Sequence, residues 1–499
     1  MLKRFQQILF ARPGRTIALF VLVVVIVVVQ RGFALHSARS DLLRHTGETK
    51  MVHTYAQMPD WCVHNGLGPL LPASMFDVVY AVQVSSDEEF QSVGRNFDLS
   101  EVTYISLSGP GVTDASVPLI NTCPLLETLI LSDTSMTAAG TSRISVKRNL
   151  VTFHCYRTGL DDSFFANPRQ LNRLEDVSLF SSSLSDKGVE KLSMLPSLKS
   201  LILFDAPAIT NACTPSLGQM TLLTDLTLGE LQINEAGFQH FELPPNLSVL
   251  DLSNLGTRTL PREFKDRLFS QSTLTELAFW QMELSEEDVL ELLELPEMCS
   301  LLIPRSRVTR KVLTRLAEFP SIEICIGADQ VAVELTDHLN ELMANDNFAL
   351  AVYFEEKMGA DVDWTAFKEL RRYLYCIYFQ DVTLTDNHRD LLSHISTRNI
   401  LCTNVVPGKQ GLDFLEHFDT LTTLQLHSTP VSTPDIARIM ALDDIDYLSI
   451  EEAGFNDEAA TELLKRRFLP SAVSLRGHSL SAAMRRRLMD EVPDTLFTF

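Results

Sequence analysis

The stretch Leu125–Gly140, LLETLILSDTSMTAAG, contains the pattern that decides the fold. Its apolar residues Leu126, Leu129 and Leu131 follow an L-x-x-L-x-L spacing, and this spacing returns about every 24 residues. A period of about 20–29 residues with such a core indicates short units that stack into a solenoid. Counted from the first apolar position, the clearest repeats begin near Val102, Leu126, Leu150, Leu174, Leu198, Leu223, Leu247, Leu274 and Met298.

Each repeat is predicted to contain one strand and one helix. Apolar residues alternate around positions four to six, which is typical of a short strand with one buried face. Polar pairs such as Ser185-Asp186 follow position eleven, where they can cap a helix. Prolines such as Pro196 then end the helix before the next strand. The predicted fold class is α/β, a solenoid of about 17 repeats with a curved parallel sheet inside and helices outside.

The repeats resemble leucine-rich repeats of the ribonuclease-inhibitor-like, or cysteine-containing, class. The pattern L-x-x-L-x-L-x-x-T-x-V-T-D is approached by Leu126 to Thr137 and by Leu421 to Ser432. The sequence departs from this class at position nine, where Asn or Cys is usual. A Thr or Ser hydroxyl is expected to replace part of the missing hydrogen-bond ladder. The residues at position nine are Pro110, Thr134, Thr158, Ser182, Leu231, Leu255 and Met282.

The repeat pattern becomes weak in the middle of the chain. Strand-like segments still recur there, at Ile322–Ile326, Phe348–Phe354 and Leu374–Phe379. One continuous array is the preferred interpretation, and two arrays divided near residues 327–372 is the alternative. The predicted division is an N-terminal cap with a first strand at Phe76–Val84 (41–100), repeats (101–330), degenerate repeats (331–372), repeats (373–481) and a C-terminal cap (482–499).

An apolar run, Ile17–Val29, lies near the N-terminus. Residues 1–40 contain six Lys or Arg and no Asp or Glu. Thirteen apolar residues are fewer than the roughly 20 of a membrane helix, but Phe33-Ala34-Leu35 extends the run. We predict an uncleaved signal anchor (16–35), a cytoplasmic basic segment (1–15) and a repeat domain outside the cytoplasm. Cleavage as a signal peptide, giving a secreted protein, is the alternative.

Charge and cysteine content exclude some classes of function. The chain has 499 residues and a formal net charge of −22, so it should repel nucleic-acid phosphates. None of the eight cysteines forms a C-x-x-C pair, and we predict buried thiols rather than a zinc site. Cys155 falls on an inward position, and Cys325 is a second candidate for one. No cofactor or metal is expected, and disulfides remain open outside the cytosol.

Side chains at positions three, five, seven and eight should point away from the core. Three consecutive repeats carry an aromatic residue at position seven, Tyr156, Phe180 and Phe204, roughly 5 Å apart. Such an exposed apolar row often marks a binding surface, although the rings could instead only pack on one another. The predicted binding residues are Tyr156, Phe180, Phe204 and Trp280 at position seven and Asp133, Arg157, Asp205 and Glu230 at position eight.

The sequence contains no recognisable catalytic motif, and no nucleophile–base pair can be named in it. It therefore predicts a non-enzymatic, membrane-anchored scaffold that binds a protein partner on its concave sheet. Binding of a glycan or small molecule by the aromatic row is one alternative. A cytosolic adaptor is another, and it requires Ile17–Val29 to be something other than an export signal.

Overall fold

The computed structural model describes residues 52–56 and 77–498, with short gaps at 254, 346, 359–361, 371–373, 419, 443, 466–469, 476–479, 482–483, 485–486, 489–490 and 493–494. The predicted basic segment and signal anchor lie outside the described residues. Within the described part of the chain, every helix is too short or too polar to cross a membrane.

The strands form one nineteen-stranded sheet. β1 pairs antiparallel with β2, and every later strand pairs in parallel with the one before it, close to the 17 repeats predicted. The strands are β1 Val52–Ala56, β2 Asp77–Ser86, β3 Tyr104–Gly111, β4 Thr128–Ser132, β5 Thr152–Tyr156, β6 Asp176–Phe180, β7 Ser200–Phe204, β8 Asp225–Gly229, β9 Val249–Ser253, β10 Glu276–Ala278, β11 Ser300–Leu302, β12 Ile322–Gly327, β13 Phe348–Glu355, β14 Leu374–Gln380, β15 Thr397–Thr403, β16 Thr423–His427, β17 Tyr447–Glu451, β18 Ala472–Ser474 and β19 Leu496–Thr498.

The connections between the strands contain short α-helices and several 3-10 turns. Consecutive helices pack side by side on one face of the sheet, and we call the opposite face the inner face. The α-helices are α1 Asp87–Asn96, α2 Val117–Ile120, α3 Ala138–Ser142, α4 Asp186–Leu192, α5 Thr214–Gly218, α6 Glu235–Gln239, α7 Arg262–Phe269, α8 Glu286–Leu292, α9 Arg310–Leu316, α10 Val333–Leu342, α11 Trp364–Glu369, α12 Asp386–Leu392, α13 Thr433–Ile439 and α14 Asp457–Leu463.

One hydrophobic core runs between the sheet and the helices. Leu126, Leu129 and Leu131 are fully buried in it, and the corresponding residues of the other repeats occupy the same layer. A single repeat has no second layer to cover its apolar residues, so each depends on its neighbours for burial. The architecture is the leucine-rich-repeat solenoid that the spacing predicted.

The helix starts are linked from one repeat to the next by aspartate side chains. Ser185 caps α4 by accepting from the N–H of Lys187, as the polar pattern predicted. In addition, Asp162 of the preceding repeat accepts from the backbone N–H and the hydroxyl of Ser185, at 2.8 and 2.5 Å. Asp186 accepts from Thr210 in the same way. The capping residues therefore stabilise the stacking of repeats as well as single helices.

Hydroxyl groups replace part of the usual ladder at position nine, as predicted. Thr134 and Thr158 are buried, and their hydroxyl oxygens lie 3.0 Å apart. The hydroxyl of Thr158 also accepts from the backbone N–H of Thr134. The ladder stops at Ser182, whose buried hydroxyl has no hydrogen-bond partner among the described residues. The replacement links two repeats here and recurs at Thr429, whose buried hydroxyl accepts from the backbone N–H of Val405, so it is not continuous along the array.

The sheet continues through the degenerate middle because the strands there are longer. β12 to β15 have six to eight residues, against five in β4 to β9. Leu301, at position four of its repeat, pairs with Ile324 on β12. Leu424, at position four of a later repeat, pairs with Ile400, and Ile400 pairs with Ile377. Followed from Ile377 back to β12, this pairing reaches the residue two places after Ile324. A shift of two residues leaves every side chain on its own face of the sheet. The middle strands therefore absorb a change of register without exposing the core.

Cysteine positions agree with the sequence prediction at one residue and differ at another. Cys155 is buried on the core face of β5. Cys325 is also buried, but it alternates with Ile324 and Ile326 and so lies on the inner face. It pairs in register with Ala351, which pairs with Cys376. Cys325 was a candidate for the core side of the sheet, and this expectation is wrong. Its thiol is buried on the opposite side, the inner face, because other side chains cover the inner face in this region.

Candidate functional site

The aromatic row occupies one line across three neighbouring strands. Tyr156, Phe180 and Phe204 pair in register on β5, β6 and β7, at the ends of these strands. Their ring centroids are 4.9 and 5.6 Å apart, with interplanar angles of 25° and 26°. All three side chains are half-buried. The rings therefore stack on one another and present their edges along the inner face.

A backbone turn after each strand fixes the row. Nine residues at position eight, including Asp133 and Asp205, have φ between 42° and 55°. In this left-handed conformation the N–H of Asp133 donates to the carbonyl of Tyr156, and that of Asp205 to the carbonyl of Gly229. Left-handed backbone is uncommon outside glycine, and Asp and Asn adopt it most easily. Position eight thus has a structural role that the sequence analysis missed, although its frequent Asp and Asn were a usable signal. The left-handed residues here are Asp133, Arg157, Ser181, Asp205, Glu230, Asp381, Asn404, Ser428 and Glu452.

The row ends at a glycine on β8. A Cβ atom on Gly229 would lie 2.3 Å from the ring of Phe204, which is well inside van der Waals contact. The ring of Phe204 therefore rests on the backbone of Gly229. A side chain at residue 229 would displace this ring and disturb the stacking.

Charged residues from a distant repeat lie beside the row. Arg157 is 2.5 Å from Asp133 and 2.5 Å from Glu452, which follows β17. His427 on β16 lies 3.8 Å from Glu451 and 3.9 Å from Glu452, and the hydrogen bond to Glu451 raises the pKa of this imidazole. The residues that directly follow β5 and β17 thus meet although twelve repeats separate them. The inner face is therefore concave, and the acidic pair Glu451 and Glu452 faces the row.

Trp280 belongs to a different part of the inner face. It lies 5.7 Å from Tyr353 and 5.2 Å from Tyr378 between ring centroids, three and four strands away from its own. Its side chain hydrogen-bonds Asp251, and burial raises the pKa of this carboxyl group to about 6. The structure thus brings together three of the four predicted aromatics and separates the fourth.

The group around Trp280 closes the inner face in the middle of the array. Tyr353 is only 1% exposed, and Arg305 and Glu355 form an ion pair whose side chains are 10% and 6% exposed. We call Trp280, Tyr353, Tyr378, Arg305 and Glu355 the aromatic plug. Sequence reasoning missed the plug, because the contacts depend on the curvature of the sheet.

Most of the described cysteine thiols lie in buried surroundings. The described cysteines are unpaired and mostly buried, and burial raises the pKa of the Cys376 thiol to about 12. Such thiols stay protonated and unreactive at neutral pH. No three His, Cys, Asp or Glu side chains within the described ranges are placed to hold a metal ion. The aromatic row, with its stacked rings and the charged residues beside it, has the composition of a binding surface.

Comparison with known proteins gives structural similarity alone. No family model and no curated protein matches the chain. Among solved structures, the chain is similar to an internalin (InlF) from Listeria monocytogenes, with 16% identity over 77% of this chain and 93% of that one and a TM-score of 0.34. It is also similar to the ectodomain of the membrane receptor kinase GASSHO1/SCHENGEN3 from Arabidopsis thaliana, with 14% identity, 84% and 50% coverage and a TM-score of 0.34. A third similarity is to TLR13 in a complex with ssRNA13, with 14% identity, 81% and 67% coverage and a TM-score of 0.35. The repeat architecture is shown by the parallel sheet of this chain and by the buried apolar layer behind it.

Proposed function

We propose that this protein is a non-enzymatic scaffold that binds a protein partner on the inner face of its N-terminal repeats. The observation that carries the proposal is the stacked, half-exposed row of Tyr156, Phe180 and Phe204. Rigid aromatic side chains contribute much contact area at a small entropic cost, and they are enriched where proteins bind each other. The row also lies on strands that pair with a neighbouring strand on each side, so their backbone is held in place.

Two features favour a protein over a glycan as the partner. Sugar rings bind by stacking on open aromatic faces, whereas these rings stack on each other and on Gly229. Charged residues also border the row along several strands, namely Asp133, Arg157, Asp205 and Glu230. A polar rim around a small apolar centre is the usual composition of a protein interface.

The test is affinity capture with the full-length chain from its native cells, using wild type and the double variant Phe180→Ser/Phe204→Ser. We expect a captured protein to be lost with the variant and retained with Met194→Ser, which removes an exposed apolar side chain distant from the row. Thermal unfolding should show that both variants remain folded. Equal capture by wild type and the double variant would exclude the row as the binding surface.

We further propose that Ile17–Val29 anchors the chain in a membrane and leaves the repeats outside the cytoplasm. We also propose that the repeats are of the ribonuclease-inhibitor-like class. The apolar run and the basic residues before it support the first statement, and the position-eleven capping pattern supports the second. Protease treatment of intact cells tests the orientation. Full protection of the repeat domain from added protease would contradict it.

A further inference from the structure

We propose that the partner presents a cationic polypeptide segment, rich in Lys or Arg, to the inner face of strands β4 to β10. This inference rests on the proposed function and adds the chemical class of the partner.

The inner face of β4 to β10 is strongly acidic. Positions three, five, seven and eight of these strands contain seven carboxylates among the described residues and a single guanidinium, that of Arg157. We call these carboxylates the acidic strip. They are Asp133, Asp176, Asp205, Asp225, Glu230, Asp251 and Glu276.

Among the described residues, Arg157 and His154 lie beside two carboxylates of the acidic strip. Asp133 pairs with Arg157, and Asp176 lies 3.0 Å from the imidazole of His154. Asp205 and Asp225 instead accept hydrogen bonds from neutral hydroxyls, those of Ser181 and Thr224. A hydroxyl satisfies one lone pair of a carboxylate and leaves its charge in place.

Like charges lie close together at the β10 end of the strip. Glu276 on β10 and Glu323 on β12 occupy the same side of the sheet, and burial together with the charge of Glu276 raises the pKa of Glu323. Repulsion between carboxylates costs free energy that an incoming cation would remove. The excess of negative charge therefore extends beyond the aromatic row, as far as Glu323 on β12.

The spacing on the sheet suits an extended chain with basic side chains. Asp205 and Glu230 are exposed at position eight of adjacent repeats, about 5 Å apart along the sheet. Long Lys and Arg side chains reach carboxylates at this spacing while their methylene groups lie against the ring edges of Phe180 and Phe204. The surface combines apolar contact with negative charge, so the complementary segment is basic and partly apolar.

The probe is a fluorescein-labelled synthetic peptide of alternating Arg and Leu, and its control carries Gln at each Arg position. Binding to the full-length chain is measured by fluorescence anisotropy. The triple variant Asp205→Asn/Asp225→Asn/Glu230→Gln removes three charges from the strip without changing side-chain size. The matched control, Glu190→Gln/Glu235→Gln/Glu287→Gln, removes three exposed charges from the helices α4, α6 and α8.

We expect the strip variant to weaken binding of the Arg peptide at least tenfold and the helix variant to weaken it less than twofold. Equal losses in the two variants would show attraction to net charge alone and would overturn the proposal. If the Gln peptide bound the wild-type chain as tightly as the Arg peptide does, the proposal would also be overturned. If the strip variant leaves both peptide binding and partner capture unchanged while Phe180→Ser/Phe204→Ser abolishes capture, the cationic partner is wrong and the proposed function stands.

Discussion

The N-terminal repeats and the middle repeats use the same sheet face in opposite ways. On β5 to β7 the aromatic residues remain half-exposed and stack on the rings of the adjacent strands. On β13 the tyrosine at the inner face, Tyr353, is buried beneath Trp280. The first region therefore leaves its rings available to a partner, whereas the second uses its rings as a second core.

The difference shows that curvature, more than residue type, decides whether an outward residue becomes a binding residue. Trp280 and Phe204 both occupy position seven of a repeat. Trp280 contacts rings three and four strands away, whereas Phe204 stacks on Phe180 of the adjacent strand and rests on Gly229. An aromatic at position seven is thus a candidate binding residue only where the inner face stays open.

Truncating a tyrosine in each region should give the largest contrast. Tyr353→Ala removes a ring that is 1% exposed, and we expect it to lower the free energy of unfolding by about 3–5 kcal/mol. Tyr156→Ala removes a half-exposed ring and should cost about 1 kcal/mol or less. Urea unfolding followed by circular dichroism measures both. Similar losses would mean that the two faces are equally buried in solution.

Breaking the ion pair in the middle repeats should lower the free energy of unfolding more than breaking the ion pair beside the aromatic row. Glu355→Gln leaves Arg305 buried without its counter-charge, and we expect a loss of about 3 kcal/mol. Glu452→Gln releases Arg157, which is 44% exposed and retains Asp133, so the loss should be below about 1 kcal/mol. Urea midpoints in low and high salt measure the difference. If the stability difference between Glu355→Gln and wild type changed strongly with salt, this would contradict burial of the Arg305–Glu355 pair.

The carboxyl group that holds Trp280 should make the plug sensitive to pH. The pKa of Asp251 is about 6 in the folded chain, above the roughly 3.9 of an unfolded aspartate. The folded state therefore binds this proton more tightly, and stability falls as the pH rises from about 4 to about 6. Asp251→Asn should be more stable than wild type by about 2 kcal/mol above pH 6 and equal to it below pH 4.

Thermal unfolding between pH 4 and pH 8 measures this effect. The matched control is Asp205→Asn, which makes the same substitution at an exposed carboxylate. A profile for Asp251→Asn that runs parallel to wild type would show that Asp251 does not titrate in this range.

Part of the candidate site was readable from the repeat register. Once position seven was assigned, Tyr156, Phe180 and Phe204 had to lie side by side, because parallel strands in one register place equivalent residues together. The register could not show that Arg157 meets Glu452, since that contact depends on the accumulated rotation of twelve repeats. Small rotations per repeat are set by side-chain packing, and the consensus pattern does not contain them.

The sequence by itself determined the repeat unit. The L-x-x-L-x-L spacing dictates a strand with one buried face, and the capping residues and prolines dictate where each helix begins and ends. These are local rules, so a single repeat suffices to apply them. The tertiary structure alone decided which outward residues stay open. Contacts such as Trp280 with Tyr378 join distant repeats, and only the curvature of the whole sheet brings them together.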